Sequence, residues 1–88
     1  MKLYYVRTNA YDMLIADHGD HRHYLTECSA GGFGVHPEDE DEALRYLTEN
    51  AEGNADCSHE WDETEETIED LTRWHGTEIL AEIEVEED

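Results

Sequence analysis

Apolar and aromatic residues are concentrated in three short stretches near the start of this chain. Residues 2–8, 11–17 and 22–28 are rich in strand-forming side chains, and turn-like residues separate them at 9–10 and 18–21. Successive side chains of a strand point to opposite faces. The pattern predicts three strands joined tightly as an antiparallel meander, with Gly19 and Asp20 suited to positive φ in the second turn.

The end of the chain, TEILAEIEVEED, alternates between apolar and acidic residues at strand spacing. One side of the predicted strand is aliphatic and the other is acidic, with Leu80 as the exception on the acidic side. The aliphatic side comprises Ile79, Ala81, Ile83 and Val85. The acidic side comprises Glu78, Glu82, Glu84 and Glu86.

The region between the first three predicted strands and the last one has apolar residues at helical spacing. Pro37 and the acidic run 38–42 suit the first turn of a helix, because carboxylates complement the partial positive charge of a helix N-terminus. Apolar residues then recur at helical spacing until Gly53, which is a reasonable stop: Ala43, Leu44, Leu47 and Ala51.

A second helix is predicted from Asp62 to Gly76. Asp62 would cap its start, with Glu65 reaching back in a capping box. One face of this helix would be buried, which predicts a core position for Trp61 at its start, whereas Trp74 is offset from that face. The predicted buried face comprises Trp61, Thr64, Ile68, Leu71 and His75.

These elements predict one α+β domain spanning residues 1–88. Their order is β-β-β-α-α-β, with two helices packed on one face of a small antiparallel sheet. The chain has no internal repeat that would suggest a second unit.

The charge of the chain is large and uneven. Its net charge is −20 at pH 7. Residues 1–37 hold four acidic and three basic groups, whereas residues 38–88 hold 21 acidic and two basic groups. An asymmetry of this kind suggests a basic partner. An acidic surface is also repelled by anionic lipid head groups, so no membrane partner is expected.

The N-terminal segment contains no apolar run of signal-peptide length, and no stretch approaches the roughly 18 residues of a membrane span. We therefore expect a cytoplasmic protein, in a host cell if a phage encodes it. Cys28 and Cys57 would then be reduced thiols, although their spacing leaves a disulfide open.

The patterns for catalysis, phosphate binding and metal binding are weak. Neither a nucleophile elbow nor a Cys-His catalytic signature occurs, and residues 29–35 lack the Lys that follows a phosphate-binding loop. No acidic run follows the order of a calcium-binding loop. His18, His21 and His23 lack zinc-ligand spacing, as do Cys28, His36, Cys57 and His59, so the histidine-rich turn is predicted to be a solvated hairpin. We expect no enzyme activity, no cofactor and no metal ion.

Three acidic regions remain to be explained: 38–42, 60–70 and 82–88. Alternate residues of a strand lie about 6.6–6.8 Å apart, or two steps of the roughly 3.4 Å phosphate spacing of a nucleic-acid strand. Two carboxylates about 7 Å apart in water repel by roughly 0.6 kcal/mol, and a basic partner would relieve that cost. Two alternatives stay open: an ordinary domain adapted to high salt, and an acidic antitoxin or adaptor that binds a basic protein.

The segments PEDEDE, DETEETIED and EIEVEED, in a single short acidic domain, resemble the small acidic inhibitors carried by phages and other mobile elements. Among these the chain looks most like anti-CRISPR proteins of the DNA-mimic type. The resemblance implies a stoichiometric inhibitor that occupies the Arg-lined DNA-recognition groove of a CRISPR nuclease and does not itself bind nucleic acid. The residues then expected to contact the partner are Glu38, Asp39, Glu40, Asp41, Glu42, Glu63, Glu66, Glu69, Asp70, Glu82, Glu84 and Glu86.

Overall fold

A five-stranded antiparallel sheet and two helices make up the described part of the chain, which confirms the predicted α+β class. The computed structural model describes residues 1–8, 11–26, 37–51, 61–75 and 78–85. The spatial order of the strands is β4-β3-β2-β1-β5. In chain order the elements are β1 Lys2–Arg7, β2 Asp12–Asp17, β3 Arg22–Thr26, α1 Glu40–Glu49, β4 Asp62–Thr64, α2 Ile68–His75 and β5 Glu78–Glu84.

The predicted meander is present as β1, β2 and β3. Strand β1 pairs with β2 from Lys2 opposite Asp17 to Arg7 opposite Asp12. At the first turn the Thr8 amide donates to the Tyr11 carbonyl at 2.8 Å, which closes the hairpin. Strand β3 continues the sheet beside β2, and β5 returns to pair with the free side of β1.

Each face of the sheet packs against one helix, whereas the sequence predicted both helices on one face. Leu3 and Tyr5 pack with Leu47 of α1 on the α1 face, and Tyr4 and Val6 pack with Leu71 of α2 on the opposite, α2 face. The reason is that β1 and β2 are apolar on both sides: residues 3–6 and 13–16 are all buried, so each face needs a cover.

Helix α1 begins three residues later than Pro37. Asp39 is its N-cap, and the Asp39 side chain accepts a 2.9 Å hydrogen bond from the Glu42 amide. Pro37 lies outside the helix, where its carbonyl accepts a hydrogen bond from Arg7 at the end of β1. Leu47 is buried as predicted, but Leu44 is 44% exposed, so the buried stripe of this helix is narrower than the sequence suggested.

The predicted start of the second helix was wrong. Residues 62–64 form the short edge strand β4, and α2 begins only at Ile68. Thr67 caps it: its hydroxyl accepts from the Asp70 amide at 3.1 Å, and its carbonyl accepts from the Leu71 amide at 2.9 Å. The open edge of β3 offers unpaired backbone groups to residues 62–64, which outweighs the capping pattern at Asp62. The element order is therefore β-β-β-α-β-α-β.

A register shift in β5 changes the predicted alternation of that strand. Tyr5 is opposite Ala81, but the next residue, Val6, is opposite Ile79, so Leu80 is the extra residue of a bulge. Leu80 therefore packs toward the α1 core, where the alternation had placed it on the acidic side. Ile79 moves to the other face and is 40% exposed.

Candidate functional site

Two carboxylates of β5 lie on the α2 face, and the alternation of the final stretch predicted that they share one side of the strand. Glu82 is opposite Tyr4 and Glu84 is opposite Lys2, and paired residues share a face. The Lys2 ammonium is 3.7 Å from Glu82, with both side chains 55% exposed, and the N-terminal amine is 3.8 Å from Glu84. The Lys2–Glu82 pair is exposed, and an exposed pair of this kind contributes little stability.

Further carboxylates converge on the same face from other elements. Burial raises the pKa of Tyr4, and the negative charges of four carboxylates, led by Glu82, raise that pKa further. Burial likewise raises the pKa of Tyr24, followed by the charges of Asp62 and Glu66. We call this surface the acidic face and define it by six residues: Asp17, Asp62, Glu66, Glu69, Glu82 and Glu84.

The acidic residues that begin α1 are not part of the acidic face. Residues 38–42 are exposed at the start of a helix that covers the other side of the sheet. They lie beside Arg7, at the opposite end of β1 from Lys2 and Glu84. The five strand steps between Lys2 and Arg7 correspond to about 17 Å. Residues 38–42 and the acidic face therefore form two separate surfaces.

The remaining predicted contact residues are distributed as follows. Glu63 is opposite His23 on the α1 face, away from the acidic face. Asp70 is partly buried in the first turn of α2, with its carboxylate 3.8 Å from Arg73. Glu86 lies outside the described residues, as do Cys28 and Cys57. Asp17 and Asp62 were not predicted to contribute. Asp62 was missed because residues 62–64 were interpreted as a helix start, and Asp17 because the first part of the chain is nearly neutral overall.

A cluster of three histidines lies at the turn between β2 and β3. His18 and His21 flank the two-residue turn, where the His18 amide donates to the His21 carbonyl at 3.0 Å. Gly19 takes the first turn position with φ +99°, the conformation that glycine tolerates best. His23 is two residues beyond His21, so all three imidazoles emerge on the α1 face.

The imidazole rings are in mutual contact. The centroids of His18 and His21 are 4.7 Å apart in a stacked arrangement, and His23 stands edge-on to both at 5.3 and 5.1 Å. Asp20 Oδ1 is 2.7 Å from Nδ1 of His21, and this hydrogen bond lowers the pKa of the Asp20 carboxyl. Burial lowers the pKa of His23, with His18 and His21 acting in the same direction and Glu63 opposing them.

The prediction of a merely solvated turn overlooked this convergence. The signal was present in the order His-Gly-Asp-His-Arg-His. A two-residue turn places His18 directly opposite His21, and the period of two in a strand returns to the same face at His23. His36 and His59, the other histidines considered for zinc, lie outside the described residues.

A shallow cleft of about 260 Å³ connects these features at one end of the sheet. It lies between the histidine turn and the end of β5, so it touches both His18 and the acidic face. The residues that line it are Met1, Lys2, Asp17, His18, Gly19 and Glu84.

Comparison with known proteins adds no relative from which a function can be carried over. No protein-family model matches the chain, and neither a curated protein nor a solved structure is significantly similar to it. Among the described residues, no helix is both long and apolar enough to cross a membrane. The function must therefore be inferred from the chemistry of the described surfaces.

Proposed function

We propose that this chain is a non-enzymatic inhibitor whose acidic face occupies the basic nucleic-acid-binding groove of a partner protein. The resemblance to anti-CRISPR proteins of the DNA-mimic type makes a CRISPR nuclease the first partner to test. The observation that supports the proposal is the gathering of carboxylates from β2, β4, β5 and the α2 region around Tyr4 and Tyr24.

The acidic face has the spacing and accessibility that a phosphate mimic needs. Glu82 and Glu84 are alternate residues of one strand, so their Cα atoms lie about 6.6–6.8 Å apart, or two phosphate steps. Both side chains are largely exposed, and Glu69 adds charge from α2. The strand and the helix thus hold carboxylates on a rigid frame, which reduces the entropy lost on binding.

Like charges repel one another in the free chain. The 25 acidic residues face only five Lys and Arg residues, so most carboxylates must be neutralised by solution ions or by a partner. Arg and Lys side chains of a nucleic-acid groove would replace those ions and relieve the repulsion. The same charge would steer the partner toward the acidic face and make association fast at low salt.

Two other functions stay open as alternatives. In a salt-adapted domain the acidic surface serves solvation, and such a chain should unfold at low salt without any partner. An antitoxin or adaptor would bind a basic protein without displacing nucleic acid from it. The near-neutral first 37 residues favour a localised binding surface over general salt adaptation.

Affinity capture with matched variants tests the proposal. The immobilised chain is exposed to nuclease-treated lysate from a phage-host panel and eluted with rising salt, and the eluted proteins are identified by mass spectrometry. Glu82→Gln/Glu84→Gln removes two charges from the acidic face. Glu49→Gln/Glu78→Gln removes two exposed charges elsewhere, with Glu78 on the same strand but at its other end, opposite Arg7.

The proposal predicts that a basic nucleic-acid enzyme is retained by the wild-type chain and by the Glu49/Glu78 control. The Glu82/Glu84 variant should release it at clearly lower salt, and duplex DNA should compete for it. If both variants retain the enzyme to the same salt concentration, the contact must lie on another surface, and the start of α1 is the next candidate. If duplex DNA does not displace the retained protein, the antitoxin or adaptor function is favoured over nucleic-acid mimicry.

A further inference from the structure

We propose that the turn between β2 and β3 binds one divalent transition-metal ion, with zinc as the best fit, through His18, His21 and His23. The candidate ligand nitrogens of these residues all lie within 4.8 Å of one another. A tetrahedral zinc ion with bonds of about 2.0–2.1 Å holds its ligand nitrogens about 3.3 Å apart. The rings are only partly buried, so a modest rotation of each side chain closes that difference.

The backbone already brings the three ligands together. The turn is closed by the hydrogen bond from His18 to His21, and the pairing of Asp17 with Arg22 continues it into the sheet. Arg22 reinforces this closure, because its guanidinium donates to the Asp17 carboxylate at 3.1 Å and to the Gly19 carbonyl at 2.8 Å. Metal binding at a preformed turn costs little chain entropy, which favours affinity.

Asp20 holds one of the imidazoles in an orientation suited to a metal ligand. Its carboxylate lies 2.7 Å from Nδ1 of His21, so that nitrogen donates its proton and Nε2 is left as the ligand atom. Metal-bound histidines commonly donate their other ring nitrogen to a carboxylate in this way, which fixes the tautomer and raises the basicity of the ligand nitrogen.

His23 provides an independent observation. Its Nδ1 is buried and has no hydrogen-bond partner within the described ranges. Buried polar atoms without a partner are uncommon in folded proteins, and an ion or a bound water is a frequent reason for them. A metal ion held by the neighbouring imidazoles gives this side chain a bonding role.

The ligand chemistry identifies the class of metal. Three imidazoles suit zinc, copper or nickel, whereas magnesium and calcium prefer oxygen ligands. Glu63, which is opposite His23 on β4, or a water molecule can complete the coordination. The strongly negative chain also reduces the electrostatic cost of holding a dication. The site does not depend on the acidic face having a partner.

Zinc titration of the untagged chain tests this site. The protein is stripped with EDTA, dialysed, and titrated with zinc sulfate against a chromophoric zinc indicator in 150 mM salt. We expect one zinc ion per chain with micromolar affinity or tighter. His21→Gln and His23→Gln should each weaken binding at least tenfold, and Asp20→Asn about tenfold, in line with the usual cost of losing an outer-sphere partner.

The control variant is His75→Gln, which replaces the last residue of α2, an element that covers the opposite face of the sheet, and should leave zinc affinity unchanged. Two-dimensional NMR of the wild-type chain gives a test that needs no variant: zinc should shift the signals of residues 17–23 selectively. A stoichiometry far below one, binding that magnesium reproduces at equal concentration, or equal zinc affinity in His21→Gln and the wild type would overturn the proposal.

Discussion

Tyr5 and Asp12 form a buried polar contact inside the sheet, and removing it should destabilise the fold measurably. The Tyr5 hydroxyl donates to Asp12 Oδ2 at 2.7 Å, and Tyr5 is fully buried. Arg7 approaches the same carboxylate with two donors, Nε to Oδ1 at 3.0 Å and Nη2 to Oδ2 at 3.2 Å. Burial and the Asp12 carboxylate both raise the pKa of Tyr5, so this hydroxyl remains a donor at any ordinary pH.

The structure sets the expected size of the effect. A hydrogen bond to a charged group contributes about 1.5–3 kcal/mol, so Tyr5→Phe should lower the free energy of unfolding by that amount. For a domain of this size each kcal/mol corresponds to about 4–8 °C in the unfolding midpoint. In an Asp12→Asn background the acceptor is neutral, and the same change should cost only about 0.5–1.5 kcal/mol.

Urea unfolding followed by circular dichroism measures these values, with the four chains of the double-mutant cycle compared in one buffer. Tyr24→Phe is the matched control, because Tyr24 is only partly buried and a change there should stay within about 0.5 kcal/mol. A Tyr5→Phe chain as stable as the wild type, or equal costs in both Asp12 backgrounds, would refute the assignment of a charge-assisted contact.

Four further predictions concern packing, pH, salt and the turn. Leu47→Ala should cost about 2–5 kcal/mol in urea unfolding, whereas Leu44→Ala, at a 44% exposed position, should cost far less. Burial lowers the pKa of His23 in the folded chain, so below about pH 6.5 the unfolded chain binds a proton at this side chain more readily than the folded chain does. The free energy of unfolding of the metal-free wild type should therefore fall more between pH 7.5 and pH 5.5 than that of His23→Gln. Raising the salt from 10 mM to 1 M shortens the Debye length from about 30 to 3 Å, so repulsion between carboxylates weakens and the melting temperature should rise. We expect the chain to be folded already at 10 mM salt, and a chain that is unfolded at 10 mM would support salt adaptation instead. Gly19→Ala should cost about 1–2 kcal/mol, measured by thermal unfolding, because Gly19 has φ +99°.

Strand-forming composition predicted the sheet better than capping patterns predicted the helices. The aromatic and β-branched residues in 2–8, 11–17 and 22–28, with turn residues between them, identified β1, β2 and β3. Leu80 was the one break in the alternation of β5, and the structure shows that it is the extra residue of a bulge, which inverts the faces of the residues before it.

The second helix shows how tertiary pairing overrides a local signal. DETE from Asp62 resembles a capping box, yet residues 62–64 form a strand that pairs with the edge of β3. Helix α2 is capped by Thr67 instead. The distribution of helices over both faces has a similar origin. The buried run 3–6 has no polar side, and this run was the available evidence that each face needs its own helix.

The sequence predicted the acidic residues of the candidate site better than it predicted the histidine cluster. The outward orientation of Glu82 and Glu84 followed from the strand alternation and agrees with the structure. The separation of residues 38–42 from that face depends on which side of the sheet α1 covers, which no local pattern determines. The histidine cluster was overlooked because a search for zinc motifs examines spacing along the chain, whereas these ligands meet across a two-residue turn.

The most direct measurement is displacement of nucleic acid from the captured partner. A fluorescently labelled duplex is bound to that partner, and its anisotropy is followed as the chain is added. We expect the wild-type chain and Glu49→Gln/Glu78→Gln to release the duplex stoichiometrically, whereas Glu82→Gln/Glu84→Gln should require a much higher concentration. Release that is the same for both variants, or a duplex that stays bound while the chain binds elsewhere, would contradict the claim that the acidic face takes the place of nucleic acid.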